Sequence, residues 1–211
     1  MQISDIHTHK PAPQPEAVVQ GPKEGFSPLD GQYYSIGIHP WDTASGNIEE
    51  QTWRRLADYC AYPEVVAVGE CGIDMLKGGP LFMQMQVFKR QIEISEKLRK
   101  PLIIHCVKAH DVIIGMKKEI KPMQNWVVHG FRGKPSVGKM LTDAGIWLSF
   151  GSRFNPLTVA ETDPTMMLAE TDDSPILISE VISSLSDARG EDLTETILVN
   201  SLRFLSRVGG D

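Results

Sequence analysis

Short apolar runs that end on a histidine or a carboxylate recur along this chain, and segments with helical spacing separate them. Residues 65–70, 102–105, 126–129 and 166–172 read Val-Val-Ala-Val-Gly-Glu, Leu-Ile-Ile-His, Trp-Val-Val-His and Met-Met-Leu-Ala-Glu-Thr-Asp. Runs this apolar are what a parallel strand buried on both faces requires. Residues 33–40 give a further strand that reaches His39, with Pro40 stopping the ladder, and residues 146–150 give one that ends on no ligand. Between them, residues 81–99 carry Leu81, Met85, Phe88 and Ile92 at 4-3-4 spacing, and Pro101 lies just beyond. Further helices are predicted over 111–120, 136–143, 179–188 and 194–207. Asn47 is expected to open another, with Glu50 as its capping-box partner and Trp53, Leu56, Ala57 and Cys60 on one face, ending near Tyr62.

Strands alternating with helices predict parallel βα units. A strand over residues 3–9 and a short one over 17–20 bring the number to eight, which points to an α/β fold, a distorted TIM (β/α)8-type barrel. Residues 10–32 are rich in Pro and Gly and fit no helix, so loops replace the first two helices. Parallel crossovers usually need a dozen or more residues. Seven extended residues nevertheless reach about 23–25 Å, whereas a five-residue strand rises only about 17 Å.

The length of 211 residues is that of one domain spanning 1–211, and no interdomain linker or internal repeat interrupts it. No apolar run could span a bilayer and no leader pattern opens the chain, so the expectation is a cytoplasmic protein without membrane association. Cys60, Cys71 and Cys106 form no C-x-x-C and suit neither a disulfide framework nor a sulfur-rich zinc site. Net charge is −6, which disfavours broad adhesion to nucleic acid and leaves room for a local basic rim.

Along Asp5-Ile6-His7-Thr8-His9, an extended backbone sends Asp5, His7 and His9 to one side. Two neutral imidazoles two residues apart suit one metal ion, with Asp5 placed to orient a ring. The other strand ends add Glu70, His105, His129 and Asp172. Barrel strands bring such ends together at one face, and nitrogen and oxygen donors without thiolates suit Zn, Mn, Fe, Ni or Mg.

The motifs D-I-H-T-H at Asp5, G-I-H-P at Gly37, V-G-E-C-G-I-D at Val68, I-I-H-C at Ile103, V-H-G-F-R-G at Val128 and E-T-D-D-S-P at Glu170 resemble, in the same order, those of TatD-like metal-dependent deoxyribonucleases. The resemblance implies an amidohydrolase-type barrel with two divalent metal ions. It assigns His7, His9 and Asp172 to the first ion, His105 and His129 to the second, and Glu70 to both, with Asp172 as proton acceptor. Two close cations would activate a water and clamp the oxygens of a phosphodiester. DNA or another phosphodiester is then the expected substrate, and no protein partner is indicated.

Departures from the family pattern concern the walls. Val107 stands where an Arg is usual, Arg132 where a Ser is usual, and the Pro/Arg/Asn-rich loop after Ser174-Pro175 is absent. Arg132 is the best candidate phosphate contact, with Lys10, Lys77, Lys108, Lys134 and Arg153 in neighbouring loops. His39 contacts substrate or is held by backbone hydrogen bonds. Asp74 supports a ligand ring or caps the following turn, and His110 starts a helix. The same metal set also serves hydrolysis of a small amide, lactone or ester. A third reading is a metal-binding scaffold without catalysis.

Overall fold

In the computed structural model, which describes residues 2–206, eight strands pair in chain order and all run parallel. They are β1 (Asp5–Thr8), β2 (Ala17–Gln20), β3 (Tyr33–Ile36), β4 (Val65–Asp74), β5 (Leu102–Val107), β6 (Trp126–Val128), β7 (Ile146–Phe150) and β8 (Met167–Ala169). A parallel bridge between Thr8 and Asp172 joins the last strand to the first. The result is the (β/α)8-type barrel that the alternation predicts.

Helices α1 (Glu50–Cys60), α2 (Leu81–Leu98), α3 (His110–Ile120), α4 (Pro135–Asp143), α5 (Pro156–Glu161), α6 (Ile178–Arg189) and α7 (Thr194–Leu205) cover the outside. The strands they cover are buried on both faces. Ile6, Val18, Ala67, Ile103, Val127, Trp147 and Leu168 meet inside the barrel, where Phe204 and Leu205 of α7 pack against them with Ile3. Outward residues such as Val68, Ile104, Val128 and Leu148 pack under Phe88, Ile113, Leu141 and Leu185. Among the described residues, no helix is long and apolar enough to cross a membrane.

No helix follows β1 or β2, as the Pro- and Gly-rich composition requires. Side chains from the two loops take over that work. Phe26 packs edge-on against Tyr34 of β3 at 5.0 Å and also touches Tyr59 and Tyr62. Gln32, only 2% exposed, accepts the Gln14 N–H and donates to the carbonyls of Gln14, Ala17 and Tyr33 at 3.0–3.1 Å. One amide thus satisfies loop backbone that helices would otherwise cover.

Several boundaries differ from expectation. Asn47 does not open α1. Residues 40–45 instead form a 3-10 turn capped by His39, Glu49 stays extended, and α1 begins at Glu50. The Glu50 carboxylate cannot reach back as a cap because Arg90 of α2 holds both of its oxygens, at 2.6 and 2.9 Å. β4 runs on past Glu70 to Asp74, whereas β8 stops at Ala169 and leaves Glu170 and Asp172 beyond its end. α5 was not signalled by periodicity, being only six residues long. The last helix ends at Leu205, and Arg207, its expected end, lies outside the described residues.

Replacing Gln32 by Ala should lower stability by about 2 kcal/mol, because buried carbonyls lose their donor. Urea titration measures it, and a loss below about 0.5 kcal/mol would show that the loops hold without this side chain.

Candidate metal centre

The barrel closes past its strand ends. Asp172 N–H donates to the His7 carbonyl at 3.0 Å and His9 N–H to the Asp172 carbonyl at 2.9 Å, so three expected ligands share one backbone bridge. Asp172 takes φ 51°, a left-handed conformation that Asp tolerates better than most residues. Beside it, buried Asp5 accepts the Thr171 N–H at 3.0 Å, the Thr171 hydroxyl at 2.6 Å and the His7 N–H at 3.3 Å. Burial pushes the Asp5 carboxyl up to about 7 against the pull of those bonds. Asp5 therefore ties the backbones of the first and last strands together, and does not orient an imidazole as the alternation suggested.

A register shift between Val68 and Cys71 bulges β4 and frees Glu70 from the ladder. Its N–H goes to Gln20 Oε1 at 2.9 Å instead. Two glycines permit the close approach. A Cβ on Gly37 would lie 2.6 Å from the Glu70 carbonyl oxygen, and one on Gly72 would overlap the His105 carbonyl.

Glu70 then presents each carboxylate oxygen to a different set of rings. Oε2 lies 3.0 Å from His9 Nε2 and 3.5 Å from His7 Nε2, and Asp172 Oδ1 completes that group at 3.7 and 3.8 Å from the same two nitrogens. Oε1 lies 2.7 Å from His129 Nε2 and 3.3 Å from His105 Nδ1, with His39 Nε2 at 3.6 Å. All six expected ligands converge on one centre.

Two further carboxylates set the ring tautomers. Glu170, fully buried, faces His129 Nδ1 at 3.3 Å, which leaves the Nε2 lone pair for the centre. Asp74 Oδ2 holds His105 Nε2 at 3.1 Å and the Trp41 indole N–H at 2.6 Å, while its Oδ1 accepts the N–H groups of Leu76 and Lys77. Those bonds outweigh burial and bring Asp74 down to about 2. Asp74 therefore both supports a ring and caps the turn. His39 differs from the other rings: its Nδ1 accepts the Trp41 N–H at 3.2 Å, so a neutral ring carries its proton on Nε2 and is a donor.

The donor set fits divalent metal. Both nitrogens of His7 and Nε2 of His129 are buried without a hydrogen-bond partner among the described residues, and such nitrogens are costly unless something binds them. The His129–Glu70 approach is close but not aligned as a hydrogen bond. Burial opposes charge on Glu70, yet His129, His7 and His105 hold it well below the usual carboxylate range. Burial likewise opposes charge on His129, and Glu70 and Glu170 raise it well above the ordinary imidazole value. Carboxylates that favour a positive charge at His129 and His9 also favour a cation bound to the same lone pairs.

Of the proposed phosphate contacts, Arg132, Lys77 and Lys108 line a cavity of about 470 Å³ that opens on the centre. Arg153 lines a small recess beside Arg132 and Glu170. Lys10 is turned away, its Nζ donating to the Ile176 carbonyl at 2.5 Å. Lys134 caps α4. His110 begins α3 edge-on to Phe131, and burial lowers its pKa. Sequence reasoning passed over Glu170, Gln20 and Trp41. Glu170 carried a signal, since it stands two residues before Asp172; the other two carried none.

A family model described as TatD related DNase matches residues 27–206. The chain is 32% identical over 130 residues to the uncharacterized metal-dependent hydrolase YabD of Bacillus subtilis (strain 168), an alignment covering 61% of this chain and 50% of that protein. It thus spans about half the length of that relative. It is 24% identical over 195 residues to the 3'-5' ssDNA/RNA exonuclease TatD of Klebsiella pneumoniae (strain 342), covering 79% of this chain and 73% of that one. The crystal structure of YjjV, the TatD homolog from Escherichia coli K12, superposes with a TM-score of 0.80 at 20% identity over 99% of this chain and 98% of that one, which shows the shared fold. The family match takes in every strand from β3 to β8 and every helix among the described residues, together with Glu70, His105, His129 and Asp172, and the chain belongs to the TatD related DNase family.

Proposed function

We propose that the protein is a divalent-metal-dependent phosphodiesterase acting on nucleic acid, with two ions side by side. His7, His9 and Asp172 would hold one, His105 and His129 the other, and Glu70 would bridge them. One observation carries this reading: the two oxygens of Glu70 face two separate groups of donors. When bound, such ions polarise a phosphoryl oxygen and lower the pKa of water.

The chain's own groups do the remaining work. The Asp172 carboxylate, on a side chain 23% exposed at the mouth, would accept a proton from an attacking water. His39 Nε2–H, beside Glu70, can donate to a non-bridging phosphoryl oxygen. Arg132 supplies a charge-assisted bond to phosphate from the rim. Glu170 and Asp74 hold the rings of His129 and His105 against rotation. A cationic rim favours an anionic diester over a neutral amide or lactone, and the names of relatives such as the Klebsiella exonuclease point the same way.

Metal analysis followed by assay on single-stranded DNA, bis(p-nitrophenyl) phosphate and a lactone panel tests the reading. Lactonase activity without phosphodiesterase activity would overturn it. Glu70→Gln keeps shape but removes the charge that offsets repulsion between two cations. It should lose at least one ion and nearly all turnover with the fold intact. Asp172→Asn should also abolish turnover while retaining more metal. Equal metal content and near-normal rates in Glu70→Gln would sink the bridged pair.

Glu170→Gln should lower metal affinity by roughly 10- to 100-fold, because an amide no longer fixes the His129 tautomer. Calorimetric titration of metal reads this directly. Unchanged affinity would show that Glu170 does not act through His129.

A further inference from the structure

The metal centre is the floor of a cleft with two lobes, and Trp41 lines both. The lobes differ in charge. The larger, about 590 Å³, has Asp42 and Asp173 on its walls, and its Lys23 is already paired with Asp42 at 2.6 Å. The smaller, about 470 Å³, carries Lys77, Lys108 and Arg132. Apart from the centre's own Asp172, its acid is Asp74, whose oxygens are engaged by His105, Trp41, Leu76 and Lys77. An anionic chain running out from the centre is therefore drawn into the smaller lobe.

Trp41 itself is poorly explained by folding. Its ring is 45% exposed, and its neighbour in the lobe, Leu76, is 64% exposed. Yet the ring is held in place: the indole N–H is bonded to Asp74, and His39 packs edge-on at 4.6 Å. Lys77 Nζ lies over one face of the ring, 4.3 Å from its centroid, so a base stacking on that face takes the place of a mobile ammonium. A held, exposed aromatic in a lobe that carries cations is the arrangement that binds unpaired bases, whose faces stack while their phosphates meet positive charge. A volume of about 470 Å³ lies within the usual range for ligand pockets, about 300–1,000 Å³.

Building on the phosphodiesterase reading, we propose that the smaller lobe is a subsite for a nucleotide adjoining the phosphate at the centre, with its base stacked on Trp41 and its phosphates held by Lys108 and Arg132. Specificity for single strands follows, because a base paired in a duplex cannot offer its face to the ring. A base-free diester meets Lys108 and Arg132 but gains no stacking on Trp41, and a neutral ester gains neither.

The test is equilibrium binding of labelled hexamers, read by fluorescence anisotropy, with phosphorothioate linkages to block turnover. One hexamer carries bases, one is abasic with the same charge, and one is locked in a duplex. The metal-loaded wild type should prefer the base-bearing strand about tenfold over the other two, the size of one base–aromatic stack. Trp41→Leu keeps apolar bulk and should erase the preference, whereas Trp41→Phe keeps a π face and should retain it. Lys108→Ala should weaken both free strands alike and reduce the salt slope by about 1. Absence of a base preference in the wild type overturns the proposal, as does an equal loss of both strands in Trp41→Leu. Loss of the preference in Trp41→Phe also overturns it, since the ring would then act only through its N–H on Asp74. Base preference in a protein that cleaves no phosphodiester would sink the hydrolytic reading and leave the subsite standing. Cleavage of bis(p-nitrophenyl) phosphate without base preference would do the reverse.

Discussion

The closure of the barrel between β1 and the chain after β8 is the constraint on which the rest depends. Two backbone hydrogen bonds, Asp172 to His7 and His9 to Asp172, make that seam, and the same residues present three of the donor side chains. Fold and centre are thus one object here. If the seam opened, His7, His9 and Asp172 would separate together, and Asp5 would lose the Thr171 partners that justify burying its carboxylate. A buried acid drawn up to about 7 is a costly fastener, and it is tolerable only where its hydrogen bonds are made.

Glu70 poses the opposite problem, because it must stay charged while nearly buried. A lone carboxylate at 7% exposure would protonate. The ring nitrogens around it prevent this, and those nitrogens are in turn fixed by Glu170 and Asp74. Carboxylates and imidazoles therefore alternate, with His129 between Glu170 and Glu70 and His105 between Asp74 and Glu70. The bulge in β4 makes that alternation geometrically available. It turns Glu70 out of the ladder and hands its N–H to Gln20.

What could be read from residues alone follows from periodicity. Apolar runs such as 102–105 and 126–129 announce their strands, and a polar residue closing an apolar run announces a strand end. Convergence of those ends is then a property of the barrel rather than of any local motif. Local competition was not legible. Glu50 looks like a cap until Arg90, forty residues on, is seen to hold it. Asp5 looks like a ring partner until Thr171 supplies a nearer donor. The tautomer of His39 is set by a backbone N–H two residues away, which no alternation pattern reveals.

The two missing helices test how far such a barrel can be trimmed. They would have covered the outer faces of β1 to β3, whereas the centre is built from residues in the C-terminal halves of the strands and beyond them. Removing cover from the outside leaves the tips in place only if the bared backbone and apolar faces find other partners. Gln32 supplies the first with one side-chain amide, and Phe26 supplies the second by packing on Tyr34. Gln20 goes further, since it sits at the end of a strand flanked by loops and reaches inward to the Glu70 backbone. The shortened side of the barrel is therefore coupled to the centre through Gln20, and it also forms the wall of the larger lobe through Gly21, Pro22 and Lys23. The loops thus reshape one wall of the cleft, while the seam and the Glu70 carboxylate stay where the strands put them.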